Sequence, residues 1–229
     1  MKSIYLASAG RCGTQWLSRV LSHILNMERI PFSSIKSESG ASYKKKIEKI
    51  DSPGKNIYAS HFPFDCCADL DMNRIAMIRD PRDICVSATY YWVMKGKTKL
   101  EEFPFHLQKT LRSGGSNPGF NNSYIEYKDK IPHFLFKYED MLEDSRKVIL
   151  SILDFFKYDY DLSGVDEALK LNAFKELAKG RKPGEEEIHS HYRKGVSGDW
   201  KKYFSEEMNK EFCERHKQLM EAWGYDESF

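Results

Sequence analysis

No run of this 229-residue chain approaches the ~18–20 consecutive apolar residues of a membrane helix, so no membrane span is expected. Lys2 is followed by only a short apolar stretch before Gly10-Arg11, too little for the apolar core of a secretory signal. An excess of one charge sign is missing as well. The 36 basic and 34 acidic residues leave a net charge of +2, so overall charge gives no reason to expect a nucleic-acid partner. An anion site must therefore be built by local arrangement. The five cysteines (Cys12, Cys66, Cys67, Cys85, Cys213) include no Cys-x-x-Cys pair, and their odd number without a signal reads as reduced thiols in a cytoplasm. With 41% hydrophobic and 14% aromatic residues the chain is not disordered, and its length suits a single domain over residues 1–229.

The N-terminal segment does carry a local anion site. Ile4 to Ala7 reads as a buried strand, Ser8-Ala9-Gly10-Arg11-Cys12-Gly13-Thr14-Gln15-Trp16 as a tight turn, and Leu17, Val20, Leu21, Ile24 and Leu25 follow at helical spacing. Glycines in such a turn let backbone N–H groups converge, and the helix dipole favours negative charge at its start. Arg11 adds a positive fork and Thr14 a hydroxyl donor. A Walker loop with its second glycine at Gly13 would need Gly at position 8 and Lys at 14, where this chain has Ser8 and Thr14. Ordinary ATP-type binding is thus disfavoured.

Further strands are expected at Asn56–Ser60, Asn73–Ile78 and His133–Lys137, and helices after Asp83, over 103–111, 145–157, 163–179 and 205–223. Residues 28–55 read as a polar surface segment with a short helix near 42–50, or alternatively as a substrate flap. Ser113 to Asn122 is the strongest loop signal. Strands alternating with helices predict an α/β, three-layer fold: a central parallel sheet of about 4–5 strands with helices on both faces. Ligands of such sheets bind beyond the carboxyl ends of the strands, where Arg11–Thr14, His61, Arg79 and Tyr138 stand.

With these residues in view, the chain resembles the cytosolic-type sulfotransferases, which transfer a sulfuryl group from 3′-phosphoadenylyl sulfate (PAPS) and release 3′-phosphoadenosine 5′-phosphate (PAP). Residues 8–16 look like the family's 5′-phosphosulfate loop. Ile78-Arg79-Asp80-Pro81-Arg82-Asp83-Ile84-Cys85-Val86-Ser87 looks like its 3′-phosphate motif. Lys137-Tyr138-Glu139-Asp140-Met141 is similar to a further family segment, and Arg193 to Lys201 to the loop that closes on the nucleotide. The resemblance implies a P-loop-like fold and a 5′ cradle of Arg11, Cys12, Gly13, Thr14, Gln15 and Trp16. It implies a 3′-phosphate pocket of Arg79, Ser87, Arg193, Lys194 and Gly195, with Trp16 and Phe174 on the adenine faces and Tyr138 and Asn172 near its edge. His61, in Ser60-His61-Phe62-Pro63, would be the general base for in-line transfer to a hydroxyl or amine of a small-molecule acceptor, with Arg11 stabilising the leaving oxygen. No metal is required by this chemistry.

Plainer readings stand beside these. Arg79 could pair with Asp80 or Asp83, Trp16 and His61 could be core residues, Cys12 a loop filler, and His189 and His191 solvated loop residues. The chain also departs from the family pattern. Arg11 and Cys12 stand where Lys and Ser are usual, and Arg is a poor proton donor, which favours an electrostatic role. Gln15 replaces a common Thr. The family's dimer motif is not preserved over 201–210, which leaves the oligomeric state open. The first strand begins close to the N-terminus, so residues 28–50 and 92–122 are expected to cover the acceptor. Two alternatives remain: a kinase of a small metabolite, and a silent nucleotide-binding protein.

Overall fold

A computed structural model describes residues 1–35, 39–115, 117–226 and 228. The first half runs β1 (Ile4–Ser8), α1 (Thr14–Leu25), β2 (Glu28–Ile30), α2 (Gly40–Ile50), β3 (Asn56–Ser60), β4 (Asn73–Ile78), α3 (Pro81–Met94) and α4 (Phe103–Arg112). The second half runs α5 (Pro118–Tyr127), β5 (Phe134–Lys137), α6 (Tyr138–Phe155), α7 (Leu162–Leu171), α8 (Phe174–Leu177), α9 (Glu206–Arg215) and α10 (Lys217–Trp223). These elements fall into two compact units, Met1–Ile78 with Gly119–Asn172, and Arg79–Pro118 with Ala173–Phe229.

The first unit holds a five-stranded, wholly parallel sheet flanked by helices, in the order β2-β3-β1-β4-β5. Every residue of β1 and of β3 is buried, as parallel strands covered on both faces require. The chain fills the β2 side of β1 first and then crosses to β4 and β5, so the order reverses at β1. Loops leaving the carboxyl ends of strands at such a switch point diverge and leave room for a ligand. Register decides what meets there. Ala7 is paired with Ser60, so the residues one step further, Ser8 and His61, come side by side. α1 buries Leu17, Val20, Leu21 and Leu25, packs on the sheet and α7, and ends on Asn26 in the left-handed conformation.

In the second unit α3 starts with Asp80 as its N-cap, the carboxylate accepting from Arg82 N–H at 2.9 Å, and Pro81 takes the first turn. Cys85, Val86 and Tyr90 of α3 pack with Phe103, Leu107 and Leu111 of α4, and with Trp200, Phe204 and Phe212.

Several sequence expectations shift. Residues 28–30 form a strand, β2, by pairing with β3, a gain that no local pattern announced. The loop expected over 113–122 ends early, because Pro118 opens a helix whose Phe120 and Tyr124 bury against Phe64. The helix expected from 145 begins at Tyr138 and kinks at Asp144, whose carboxylate accepts from Lys147 N–H at 2.9 Å and caps the second segment. The helix expected over 163–179 breaks at Asn172–Ala173 into α7 and α8. The helix expected over 205–223 is two, broken at His216, whose Nε2–H donates to the Leu111 carbonyl at 2.7 Å.

Candidate active site

In the first unit the turn between β1 and α1 is tighter than the sequence suggested, five residues from Ala9 to Gly13. Gly10, Arg11 and Gly13 all lie in the left-handed region, with φ of 87°, 58° and 90°. For the two glycines this is nearly costless; for Arg11 it stores roughly 1–2 kcal/mol of strain. Such a run turns successive N–H groups towards one concavity. α1 then starts without a side-chain cap and without an acidic residue in its first turn. Both features suit an anion, which would supply the missing cap and meet the positive end of the helix dipole. Thr14 Oγ1 lies 2.8 Å from Ser8 Oγ. Cys12 is fully buried with its thiol on the Gly10 carbonyl, 3.2 Å away.

Gly13 is required for a second reason. A Cβ there would come within 2.8 Å of the Tyr138 ring and 3.0 Å of Met77. Tyr138 opens α6 directly after β5, and its ring meets Trp16 edge-on at 6.5 Å. Trp16 Nε1 is buried with no hydrogen-bond partner among the described residues. Leaving such a donor unsatisfied costs about 1–3 kcal/mol, so a polar group of a bound molecule fits here. The Gln15 side chain turns away from the cradle and accepts from Arg29 at 2.7 Å, while Arg29 Nε also donates to Ser18. Arg29 belongs to the cradle's support and has no signal in the sequence.

His61 joins this cradle. Its Nδ1 lies 3.2 Å from the Ser8 carbonyl oxygen and 3.2 Å from Ser8 Oγ. A carbonyl only accepts, so Nδ1 carries the proton and Nε2 the lone pair. Burial, with the Arg11 charge acting in the same direction, holds the imidazolium below its usual pKa, against the opposing pull of the Ser8 carbonyl. The ring is therefore neutral at physiological pH. Phe32 lies against it at 5.2 Å, and Phe62 and Tyr43 complete an aromatic cluster, at 5.2 and 5.8 Å from Phe32. Phe32 and Tyr43 come from the segment that sequence had marked only as a possible cover. Phe64 and Phe120 turn instead into the core, and Phe105 is exposed. Asn172 closes α7, its side-chain amide donating to the Ala168 carbonyl at 2.8 Å.

In the second unit the cationic residues form a knit group. The buried Arg79 donates to the Val196 carbonyl at 3.0 Å and lies 3.4 Å from Asp83. Asp83 in turn accepts from the N–H groups of Gly198 and Trp200 at 2.8 and 3.0 Å. The plain ion-pair reading of Arg79 is thus partly realised, and the pair also ties the 193–200 loop to α3. Arg193 bridges Glu186 and Asp199 and stacks on the Tyr90 ring at 4.5 Å; Lys194 reaches the other oxygen of Asp199 at 2.5 Å. Burial works to raise the Asp199 pKa, but Lys194 and Arg193 outweigh it and hold the carboxyl low. Gly195, at φ 67°, has the Phe174 ring where a Cβ would stand, 2.4 Å away. Arg181 stitches the loop by donating to the carbonyls of Glu185, Tyr192 and Arg193 at 2.7–2.9 Å, a role sequence did not suggest. Ser87 is buried on α3. His191 rests near Tyr91 and Tyr192, and among the described residues no group of three or more His, Cys, Asp or Glu is arranged to hold a metal. No helix among those residues is long and apolar enough to cross a membrane.

Known proteins share this architecture. A family model described as the sulfotransferase domain matches residues 2–224. Sulfotransferase 1E1 of Homo sapiens is 26% identical over 247 residues, covering 95% of this chain and 83% of that protein. A mouse sulfotransferase complexed with PAP is similar in fold, with a TM-score of 0.75 at 22% identity, over 96% of this chain and 85% of its own. Retinol dehydratase in a complex with retinol and PAP gives 0.70 at 20% identity, over 95% and 81%.

Proposed function

The chain belongs to the sulfotransferase family, enzymes that use PAPS as sulfuryl donor, and we propose that residues 1–229 act as one catalytic domain sulfating a hydroxyl of a small apolar acceptor. The observation that carries this reading is the Ser8–His61 pairing beside an uncapped helix start. It sets a neutral imidazole next to the cradle an anionic donor would enter.

In this reading Nε2 of His61 accepts the acceptor's hydroxyl proton as its oxygen bonds to the donor sulfur. The sulfur–oxygen bond to the nucleotide breaks in line, and negative charge grows on the departing oxygen. Arg11 and the loop N–H groups, those of Gly13, Thr14 and Gln15 included, stabilise that charge electrostatically. Arg11 keeps its proton throughout, because guanidinium pKa values lie above ~12. The 3′-phosphate is assigned to Arg79, Ser87, Arg193, Lys194 and Gly195, and the adenine to Trp16, Tyr138, Asn172 and Phe174. Two features support a bound nucleotide: the unsatisfied Trp16 Nε1 and the uncapped start of α1.

The ring of Phe32 against His61, backed by those of Phe62 and Tyr43, favours an acceptor with a flat or extended apolar body. Retinol, an apolar alcohol held by one structural relative, has that character. A cytoplasmic setting fits the five free thiols. The test is incubation with radiolabelled PAPS and a panel of phenols, apolar alcohols, sugars and amines. Labelled phenol or alcohol products are expected. PAP binding with no labelled product from any acceptor would leave a silent nucleotide binder.

A further inference from the structure

Cys66 and Cys67 are adjacent in sequence, and successive turns fold their side chains onto one another. Cys66 N–H donates to the Pro63 carbonyl at 2.9 Å and Ala68 N–H to Asp65 at 2.9 Å. Cys67 takes φ 65°, in the left-handed region. The two sulfurs lie 3.6 Å apart, in thiol–thiol contact. This is unusual for neighbours on an extended chain, where successive side chains point to opposite sides.

The surroundings are built around the pair. Arg74, only 3% exposed, donates to the Cys67 carbonyl at 2.6 Å and to the Cys66 carbonyl at 3.4 Å, and lies over the Tyr5 ring at 4.8 Å. A buried guanidinium thus fixes both cysteine backbones and adds positive charge beside both sulfurs. Cys66 is half-buried and its thiol reaches the Gly40 carbonyl at the start of α2, 3.4 Å away, while Cys67 is buried behind it. Hydrogen bonding from Cys67 draws the Cys66 pKa down against the cost of burial, and raises that of Cys67. The half-buried Cys66 offers the first sulfur, and the second is in contact with it.

We propose that Cys66 and Cys67 form a two-thiol site for thiophilic trivalent metalloids, of which arsenite and organic arsenicals are the class. Soft sulfur ligands select such centres, and two preplaced thiols bind far more tightly than one, because ordering the second costs little once the first is attached. With phenylarsine oxide the step balances without oxidant. Two S–H bonds and the arsenic–oxygen bond break, two arsenic–sulfur bonds form, and the oxygen leaves with both protons as water. Arsenic remains trivalent. Neither sulfur is used in the reaction proposed above, so the site stands apart from it.

The test uses the folded protein and phenylarsine oxide at one equivalent, followed by challenge with excess glutathione or with a dithiol, mass measurement and peptide mapping. The wild-type chain is expected to keep one phenylarsenic group on the 66–67 peptide through glutathione and lose it to the dithiol, with free thiols falling from five to three. Cys66→Ser and Cys67→Ser should each lose the adduct to glutathione at least tenfold faster. Loss from wild type to glutathione, retention in Cys66→Ser, or mapping to Cys12, Cys85 or Cys213 would overturn the proposal. Mapping on the wild type decides the matter even if Cys67→Ser fails to fold.

Discussion

His61 is fastened to Ser8: its Nδ1 lies 3.2 Å from the Ser8 carbonyl oxygen, the backbone atom that ends β1. The strand carrying the histidine and the strand feeding the anion loop are thereby held in one geometry. The sheet register sets this contact, one step beyond the Ala7–Ser60 pair.

Removing the imidazole tests its role as base. His61→Ala is expected to lower transfer by ~10²–10⁴-fold, the usual worth of a positioned base. PAP affinity, read by calorimetry, should stay within a few-fold of wild type. Near-full turnover in this variant would exclude His61 as the base.

The pH profile follows from the direction of the histidine shift. Burial and the Arg11 charge disfavour the imidazolium, so its folded pKa lies below 6.5 and the ring stays neutral to lower pH than a free histidine. The acid limb of kcat/KM is therefore expected below pH 6.5. Because the folded state binds this proton more weakly than the unfolded chain, the same group contributes stability that is lost as pH falls from 6.5 towards the folded pKa. An acid limb above 6.5 would contradict the assignment.

Arg11 separates stability from activity. Its φ of 58° costs an L-residue roughly 1–2 kcal/mol, which glycine avoids while losing about 0.5–1 kcal/mol in chain entropy. Arg11→Gly should thus unfold at the same temperature or slightly higher. Its turnover should drop by ~10²–10³-fold, as when a donor to a developing oxyanion is removed. A marked fall in melting temperature with intact turnover would reverse both roles.

Arg79→Ala probes the 3′-phosphate. Loss of a charged hydrogen bond of about 1.5–3 kcal/mol predicts PAP binding weaker by roughly 10–100-fold, with adenosine 5′-phosphate little affected. Asp83 keeps the Gly198 and Trp200 N–H groups, so the loop stays tied to α3. Equal losses for both nucleotides would move the 3′-phosphate elsewhere.

Metal dependence discriminates the kinase alternative. Sulfuryl transfer is expected to continue at an unchanged rate in excess EDTA after dialysis. Phosphoryl transfer would need Mg²⁺. A strict Mg²⁺ requirement would favour that chemistry.

Much of this was legible in local patterns. The apolar runs of β1, β3 and β4, the glycines at 10 and 13, and the order of the Arg11, His61, Arg79 and Arg193 motifs are short-range features. Each specifies a strand, a left-handed turn or a charge without reference to distant residues. The family resemblance rests on the same segments. Elements of marginal local signal were not legible in that way: β2 exists because β3 offers it a partner, and α5 because Phe120 and Tyr124 find Phe64.

The rest is decided by contacts between residues far apart in the chain. Sheet register brings Ser8 to His61 across fifty-three positions, and places Tyr138 where only a glycine at 13 leaves room. Arg29 on Gln15, Arg181 across its loop, and Arg74 behind the paired thiols likewise have no sequence signature, because a cation's partner is whatever the fold brings within reach. Sequence alone determined which chemistry this chain carries, since residue type and local turn geometry are short-range properties. Tertiary structure alone decided the imidazole's tautomer, the ring that lies against it and the meeting of two sulfurs, since each depends on distances that packing and register set.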